Sequence, residues 1–488
     1  MERLSGVIGI VVILAIAFLL SNNRRAINWQ LVIIGLTVQI SLAVFILKVP
    51  AYYQSFVIMG INVAAIIGLG LTYFRDGKAW WKVLLAGVSL EAFMLPLFIQ
   101  SNGAFGSAEP KPVFKVVGEW ITKLLDFSNE GSAFVFGPLS NTLYHQGILD
   151  KSFGAAHAFI FVIKVVPTII FVAALVSVLY HLGIMQRVVS LIARGVYYIM
   201  PVSGAEALSN VASAFVGQVE AQIMIKPYVD GMTRSELLAS MAGSMACIAG
   251  GVMAVYISFG VPAEYLLAAS IMAAPAALVI AKMVYPETEE SQTRGVIELD
   301  KTSPHTNILD ALSHGASDGM KVSINVVAML LGFIAVIAMI DFFIGQIGAG
   351  LYSMGVSPSV VGFDMNTLSF KTIMGGVFSA FAYIMGVPSQ DVFAAGQLMG
   401  TKLVINEFVA YADLAPMIAG GKLHPKTIAI VSFALCGFAN FSSVAIQVGG
   451  IGELAPSRRA DLAQLGMRAL LCGTLASYLS ATIAGILF

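Results

Sequence analysis

The feature that most limits this chain is a succession of apolar runs, each long enough to form a bilayer-crossing helix. They fall at about 5–20, 29–47, 55–74, 83–100, 158–184, 264–285, 324–347, 425–452 and 464–488. A crossing needs ~20 predominantly apolar residues. Only helices and closed barrels can satisfy their backbone groups in lipid, and a barrel would show alternating segments of about ten residues, a pattern the sequence lacks. Composition agrees: 58% of the 488 residues are hydrophobic and 11% charged, against roughly 25% charged in a soluble domain. The chain reads as an all-α polytopic membrane protein.

The first run begins at Met1, Glu2 and Arg3, has no small-residue cleavage site, and is followed by Arg24 and Arg25. It reads as a membrane helix rather than a signal peptide, with the arginine pair in the cytoplasm and the N-terminus outside. Arg458, Arg459 and Arg468 before the last run put the C-terminus outside as well, which implies an even number of crossings. Residues 101–112 and 286–306 are polar connectors. Between them, `VFKVVGEWITKLLDF` sets Phe114, Val117, Ile121, Leu124 and Leu125 against Lys115, Glu119 and Lys123, the pattern of a helix lying in the membrane interface. Segment 371–387 also reads as interfacial.

A net charge of zero says nothing about partners, and no nucleic-acid ligand is indicated. Cys247, Cys436 and Cys472 are scattered through apolar segments, so no disulfide framework is expected. The six histidines show no ligand-spaced pair, and no metal is expected. GxxxxGK[ST], HExxH and GxSxG are all missing, which leaves an enzyme without support.

Two parts of the chain echo each other. Gln218 in `GQVEA` and Glu407 in `NEFVA` are 189 residues apart, as are Cys247 and Cys436 (407 − 218 and 436 − 247). In each part a polar-tipped segment precedes a membrane helix interrupted by glycine, at Gly250–Gly251 and between Gly437 and Ser443. Matched interruptions of this kind point to a transporter's binding site. A carboxylate at mid-bilayer costs at least ~2.5–3.5 kcal/mol and is functional by default. Glu220 and Glu407, with Gln218 and Asn406 beside them, are therefore the strongest functional residues; the bland alternative is a helix cap or a pair with Lys402. Asn440 and Ser443 in `GFANFSS` point the same way on a helix, although such residues also serve as helix–helix glue. Asp341 is read as an interfacial anchor, and Glu91 and Lys164 as structural.

These motifs carry a resemblance. `PTIIFVAALVSVLYHLGIMQ`, `NVASAFVGQVEA`, `GTKLVINEFVAY` and `FALCGFANFSSVAIQVGGIGELAP`, with `FVFGPL`, `AASIMAAPAALVIAKMVYPETE` and `RRADL`, together resemble the concentrative nucleoside transporter family, in order along the chain. The resemblance implies inverted repeats with two re-entrant helical hairpins and two broken helices, about ten transmembrane helices, and a homotrimer whose transport domains move like elevators. It implies that Gln218, Val219 and Glu220 sit by the nucleobase, with Val252 lining that side. Glu407, Asn440 and Ser443 would hold ribose hydroxyls, while Asn406 and Phe438 shape the pocket.

Three departures qualify what is carried over. Val219 stands where the family usually has Thr or Ser, so a hydrogen bond to the base is lost and specificity is open. The family's sodium-coupled members set an Asn side chain, a Ser side chain and two backbone carbonyls around the ion; the matching positions here are Ser213, Cys247 and the carbonyls of Val216 and Ile248. A thiol is a poor ligand for a hard ion, so proton coupling through Glu220 or Glu407 is favoured over sodium. Residues 51–110 read as an extra helical hairpin and connector. The expected organisation is N-terminal helices over 1–50, the extra hairpin, interfacial and scaffold helices over 111–200, and a first transport half over 201–285. The 286–306 loop follows, then a scaffold and oligomerisation region over 307–388 and a second transport half over 389–488. No cofactor beyond the coupling ion is expected, and the location implied is a bacterial inner membrane.

Overall fold

The computed structural model describes residues 2–49, 53–54, 112–140, 161–293, 305–354 and 368–488, and among these every regular element is helical. The expected hairpin over 51–110 lies outside the described residues apart from two positions. Five of the described helices are long and apolar enough to cross a membrane, with one further bent pair.

Helices α1 (Glu2–Leu19) and α2 (Trp29–Leu47) match the first two apolar runs within a few residues. Helix α3 (Val113–Phe136) is longer than the interfacial segment expected, and it buries Val113, Val116 and Leu125 while Lys115 and Lys123 stay exposed. Helix α4 (Phe161–His181) turns by 75° into α5 (Ile184–Ile199), with Gly183 at φ +70° in the joint.

Next come α6 (Gly204–Ser213), the short turns α7 (Glu220–Ile223) and α8 (Lys226–Val229), α9 (Arg234–Ala246), α10 (Gly250–Ser258) and α11 (Ala263–Val284). Helix α12 (Ile308–Ser353) has 46 residues, about 69 Å at 1.5 Å per residue, and overruns the apolar run at both ends. The remainder comprises α13 (Phe370–Ile384), α14 (Val392–Val404), α15 (Glu407–Ala419), α16 (Pro425–Leu435), α17 (Phe441–Leu454) and α18 (Arg459–Leu487). At 15 residues α13 is shorter than a spanning helix.

Lipid tails supply no hydrophobic drive for one helix to leave them for another, so membrane helices associate through close packing and polar contacts. The sequence provides this through small residues. Helix α11 buries Ala268, Ala269, Ala273, Ala276 and Ala277. Helix α18, packed against it, buries Gly466, Ala469, Gly473, Ala476 and Ala481. Helix α12 meets α4 in the same way: a Cβ on Gly315 would lie 2.6 Å from the Ser177 Cβ, and one on Gly319 2.7 Å from the Ile170 Cα. Beyond that contact, Leu331, Ile334, Met339, Phe342, Phe343 and Ile347 of α12 are exposed.

Two interruptions organise the centre. The first spans Cys247–Ala249, not the glycine pair: Gly250 and Gly251 are the first residues of α10. The second spans Cys436–Asn440, so the apolar run 425–452 is two helices, not one. Cys247 and Cys436 are both C-cap residues of the helix before the break. The two breaks touch, because the Phe438 N–H donates to the Cys247 carbonyl at 3.2 Å. Gly437 makes this approach possible. Its φ is +125°, and a Cβ there would stand 2.6 Å and 2.7 Å from the carbonyl oxygens of Ala246 and Met245.

Candidate functional site

Opened helix ends leave N–H groups without partners, and asparagine answers this at the start of both α15 and α17. Asn406 Oδ1 accepts the Val409 N–H at 2.9 Å and starts α15, and Asn440 Oδ1 accepts the Ser443 N–H at 2.9 Å and starts α17. With its oxygen so committed, the Asn440 amide has its Nδ2 left to donate, and it does so to Glu407 Oε2 at 2.9 Å. The Tyr256 hydroxyl, from α10 in the other half, donates to Glu407 Oε1 at 3.3 Å. Tyr256 is held in place by stacking on Tyr411, with ring centroids 4.1 Å apart. Glu407, Asn440, Ser443 and Asn406 are all buried.

A second polar strand crosses the same place. Gln218 Nε2 donates to Ser443 Oγ over a long 3.5 Å, and Gln218 Oε1 accepts from Gln447 Nε2 at 3.4 Å. Gln447 Nε2 also donates to the Met241 carbonyl at 3.2 Å. Thus Gln218, Glu407, Asn440 and Ser443, expected from the sequence, form one neighbourhood drawn from both halves. Val219 packs against α17, where a Cβ on Gly450 would be 2.8 Å from its Cγ2. Val252 and Phe438 are half-buried beside the core. Glu220 stands apart from the buried group: it is exposed, with its carboxylate lying over Gly217.

Sequence reasoning missed Tyr256 and Gln447. Nothing in the local pattern distinguishes Tyr256 from a core tyrosine; its role comes from a partner 151 residues away. A signal for Gln447 did exist, since it lies four residues after Ser443 and so shares its helix face. The suggested Lys402–Glu407 pair is not made. Lys402 Nζ instead donates to the Ala434 carbonyl at 2.8 Å and to Ser477 Oγ at 3.4 Å. That places a cation at the C-terminal end of α16, where the helix dipole favours it.

Of the residues at the expected cation positions, Ser213 joins a buried hydroxyl–amide chain. Ser213 Oγ donates to the Ser209 carbonyl at 2.7 Å and lies 2.9 Å from Ser244 Oγ. Ser244 Oγ accepts from Gln222 Nε2 at 2.8 Å, and Gln222 Oε1 accepts from Ser240 Oγ at 2.6 Å. Cys247 is a fully buried thiol, and Val216 and Ile248 are buried.

Asn406 Nδ2 and Gln447 Oε1 are buried without a hydrogen-bond partner among the described residues, a costly state unless something else completes it. A carboxylate acceptor beside unpaired amide groups can bind a solute bearing neighbouring hydroxyls and a hydrogen-bonding ring. Elsewhere, a cavity of about 710 Å³ lined by Ser203, Glu206, Glu236, Lys282 and Glu287 contains none of these residues. There Lys282 is paired with Glu206 and with Glu287, the latter at 3.1 Å.

Broken helices meeting around buried polar side chains inside a helical membrane protein define a solute transporter. Comparison with known proteins agrees. The models for the Na+ dependent nucleoside transporter N-terminus and C-terminus match residues 8–72 and 265–485, and a nucleoside recognition (gate) model matches 162–263. An uncharacterized transporter of Haemophilus influenzae is 38% identical over 100% of this chain and 98% of its own. The nucleoside permease NupC of Helicobacter pylori is 33% identical over 99% and 98%. The solved structure of CNTnw in an inward-facing substrate-bound state superposes with a TM-score of 0.78 at 35% identity, covering 100% of this chain and 98% of that one. This chain belongs to the concentrative nucleoside transporter family. It is an integral membrane transporter, not an enzyme.

Proposed function

We propose that the protein imports nucleosides by secondary active symport, with protons as the coupling ion and elevator-type alternating access. The observation that carries the substrate reading is the Glu407–Asn440 pair at 2.9 Å, with Asn406 and Ser443 beside it. In this reading Glu407, Asn440 and Ser443 take the ribose hydroxyls. A carboxylate that accepts from hydroxyls makes charge-assisted bonds, the stronger kind. Asn406, with its unpaired Nδ2, and Phe438 shape the pocket. Gln218, Val219 and Glu220 face the base or its bridging waters, with Val252 lining that side. Gln447 joins them by holding the Gln218 amide. Because Val219 offers no hydrogen bond, discrimination between bases falls to the amides.

Proton coupling is supported by the chemistry at Ser213, Val216, Cys247 and Ile248. The Ser213 hydroxyl is already engaged at 2.7 Å and 2.9 Å, and sulfur at Cys247 replaces a hard oxygen donor. Glu220 or Glu407 then carries the proton. Sodium coupling is the second reading. It is favoured by the sodium/nucleoside cotransporter 1 of Rattus norvegicus, 37% identical over 84% of this chain and 60% of its own. The exposed apolar face of α12 suits contact with further copies, in a homotrimer within a bacterial inner membrane.

Uptake of labelled uridine and adenosine into proteoliposomes, under separate proton and sodium gradients, tests the reading. Accumulation with a proton gradient alone is expected. Accumulation with sodium alone would overturn the coupling ion, and no uptake of either solute would overturn the substrate.

A further inference from the structure

At the start of α12 the fold brings together three residues of metal-ligand type that the linear spacing of histidines does not reveal. His305, Asp310 and His314 each bring a ligand atom to within 4.8 Å of the other two. The spacing explains why the group escapes a linear reading. Asp310 and His314 are four apart on one helix face, whereas His305 precedes the helix cap, and its approach depends on the turn at 305–307.

We propose that His305, Asp310 and His314 form a binding site for one divalent transition-metal ion of the zinc class. Two imidazoles and a carboxylate are the ligand types such an ion takes. Three protein ligands leave a fourth, open position for water. Ligands at about 2.0–2.1 Å from a tetrahedral ion stand roughly 3.4 Å apart, so modest side-chain rotations close the group.

The surroundings orient each ligand as outer partners do in metal sites. Asp310 Oδ2 accepts from the Thr306 N–H at 2.9 Å and from Thr306 Oγ1 at 3.1 Å. This leaves Oδ1 toward His314, whose Nε2 lies 3.5 Å away. Asn307 Oδ1 accepts the Asp310 N–H at 2.9 Å, which sets the backbone of that turn. His305 is fixed against α4 by a 3.3 Å contact between its Nε2 and Ser177 Oγ. The His305 and His314 rings have centroids 5.3 Å apart, and His181, at the end of α4, lies 6.4 Å from His305. His314 has 63% of its side chain exposed, so the ion enters from water. The N-terminal end of a helix disfavours a cation, and the Asp310 carboxylate offsets that locally. All three ligands lie at the start of α12, which meets α4 through the His305–Ser177 contact and through Gly315 and Gly319.

The test is zinc titration of the full-length, untagged transporter by calorimetry, with cobalt substitution read by visible absorption. One saturable ion per chain is expected, with a cobalt spectrum of low coordination number. His314→Ala and His305→Ala should each abolish saturable binding, and Thr306→Ala should weaken it by about tenfold or more. Zinc should raise the thermal midpoint of the unaltered chain and leave that of His314→Ala unmoved. None of these residues belongs to the nucleoside neighbourhood, so metal-free uridine uptake by each variant reports folding. No saturable binding to the unaltered chain, or binding that survives both histidine substitutions in folded protein, overturns the proposal.

Discussion

Asn440 is shared between two tasks: its Oδ1 starts α17 by accepting the Ser443 N–H, and its Nδ2 donates to Glu407 at 2.9 Å. One side chain therefore couples the geometry of a broken helix to the position of a buried carboxylate. Losing it removes an N-cap worth about 1 kcal/mol and a bond to a charged group worth about 1.5–3 kcal/mol.

Separating those tasks is the first prediction. Asn440→Ala should lower the thermal midpoint and reduce uridine uptake by at least about tenfold, as loss of a charge-assisted bond implies. Asn440→Ser keeps a capping oxygen but cannot reach Glu407 as an amide does. It should recover stability without recovering uptake, measured by thermal unfolding and proteoliposome flux. Equal recovery of both would show that the cap alone matters.

Glu407→Gln keeps the side-chain size and removes the titrating group. If Glu407 is the proton carrier, uridine exchange across the vesicle membrane should persist at a reduced rate while proton-driven accumulation falls to background. The same comparison on Glu220→Gln decides between the two carboxylates. Accumulation lost in E220Q but kept in E407Q would assign the proton to Glu220.

At Gly437 the backbone itself is the constraint. A left-handed conformation costs a substituted residue of order 1–3 kcal/mol. A Cβ would also press on the Ala246 and Met245 carbonyls at 2.6 Å and 2.7 Å. Gly437→Ala should lower the yield of monodisperse protein and its thermal midpoint, followed by size-exclusion chromatography and melting. Wild-type stability in this variant would mean that the two breaks do not meet as described.

The coupling-ion reading predicts a gain as well as a loss. Ser213→Asn combined with Cys247→Ser would supply the amide oxygen and hydroxyl whose absence disfavours sodium. The double variant should show sodium-stimulated uridine uptake, and the unaltered chain should not. Sodium stimulation already present in the unaltered chain would sink the proton assignment.

The membrane class, the helical fold and the family were all legible in the linear chain. Each rests on local quantities: the length of apolar runs, the spacing of glycines around Cys247 and Cys436, and the order of motifs. That Glu407, Asn440, Ser443 and Gln218 would gather in the interior was legible for a related reason, because a polar group inside an apolar run is costly wherever the run lies in the bilayer. Their partners were not. Glu407 meets Tyr256 across 151 residues, and Lys402, near it in sequence, turns to the Ala434 carbonyl. The break before α10 falls at Cys247–Ala249 rather than at Gly250–Gly251, at the place where the distant Phe438 N–H meets the Cys247 carbonyl. His305, Asp310 and His314 become neighbours only once the cap at Asn307 folds the chain back. Burial within a segment follows from its own composition. The choice of which buried polar atoms face one another belongs to the packing of distant helices, which is decided in three dimensions.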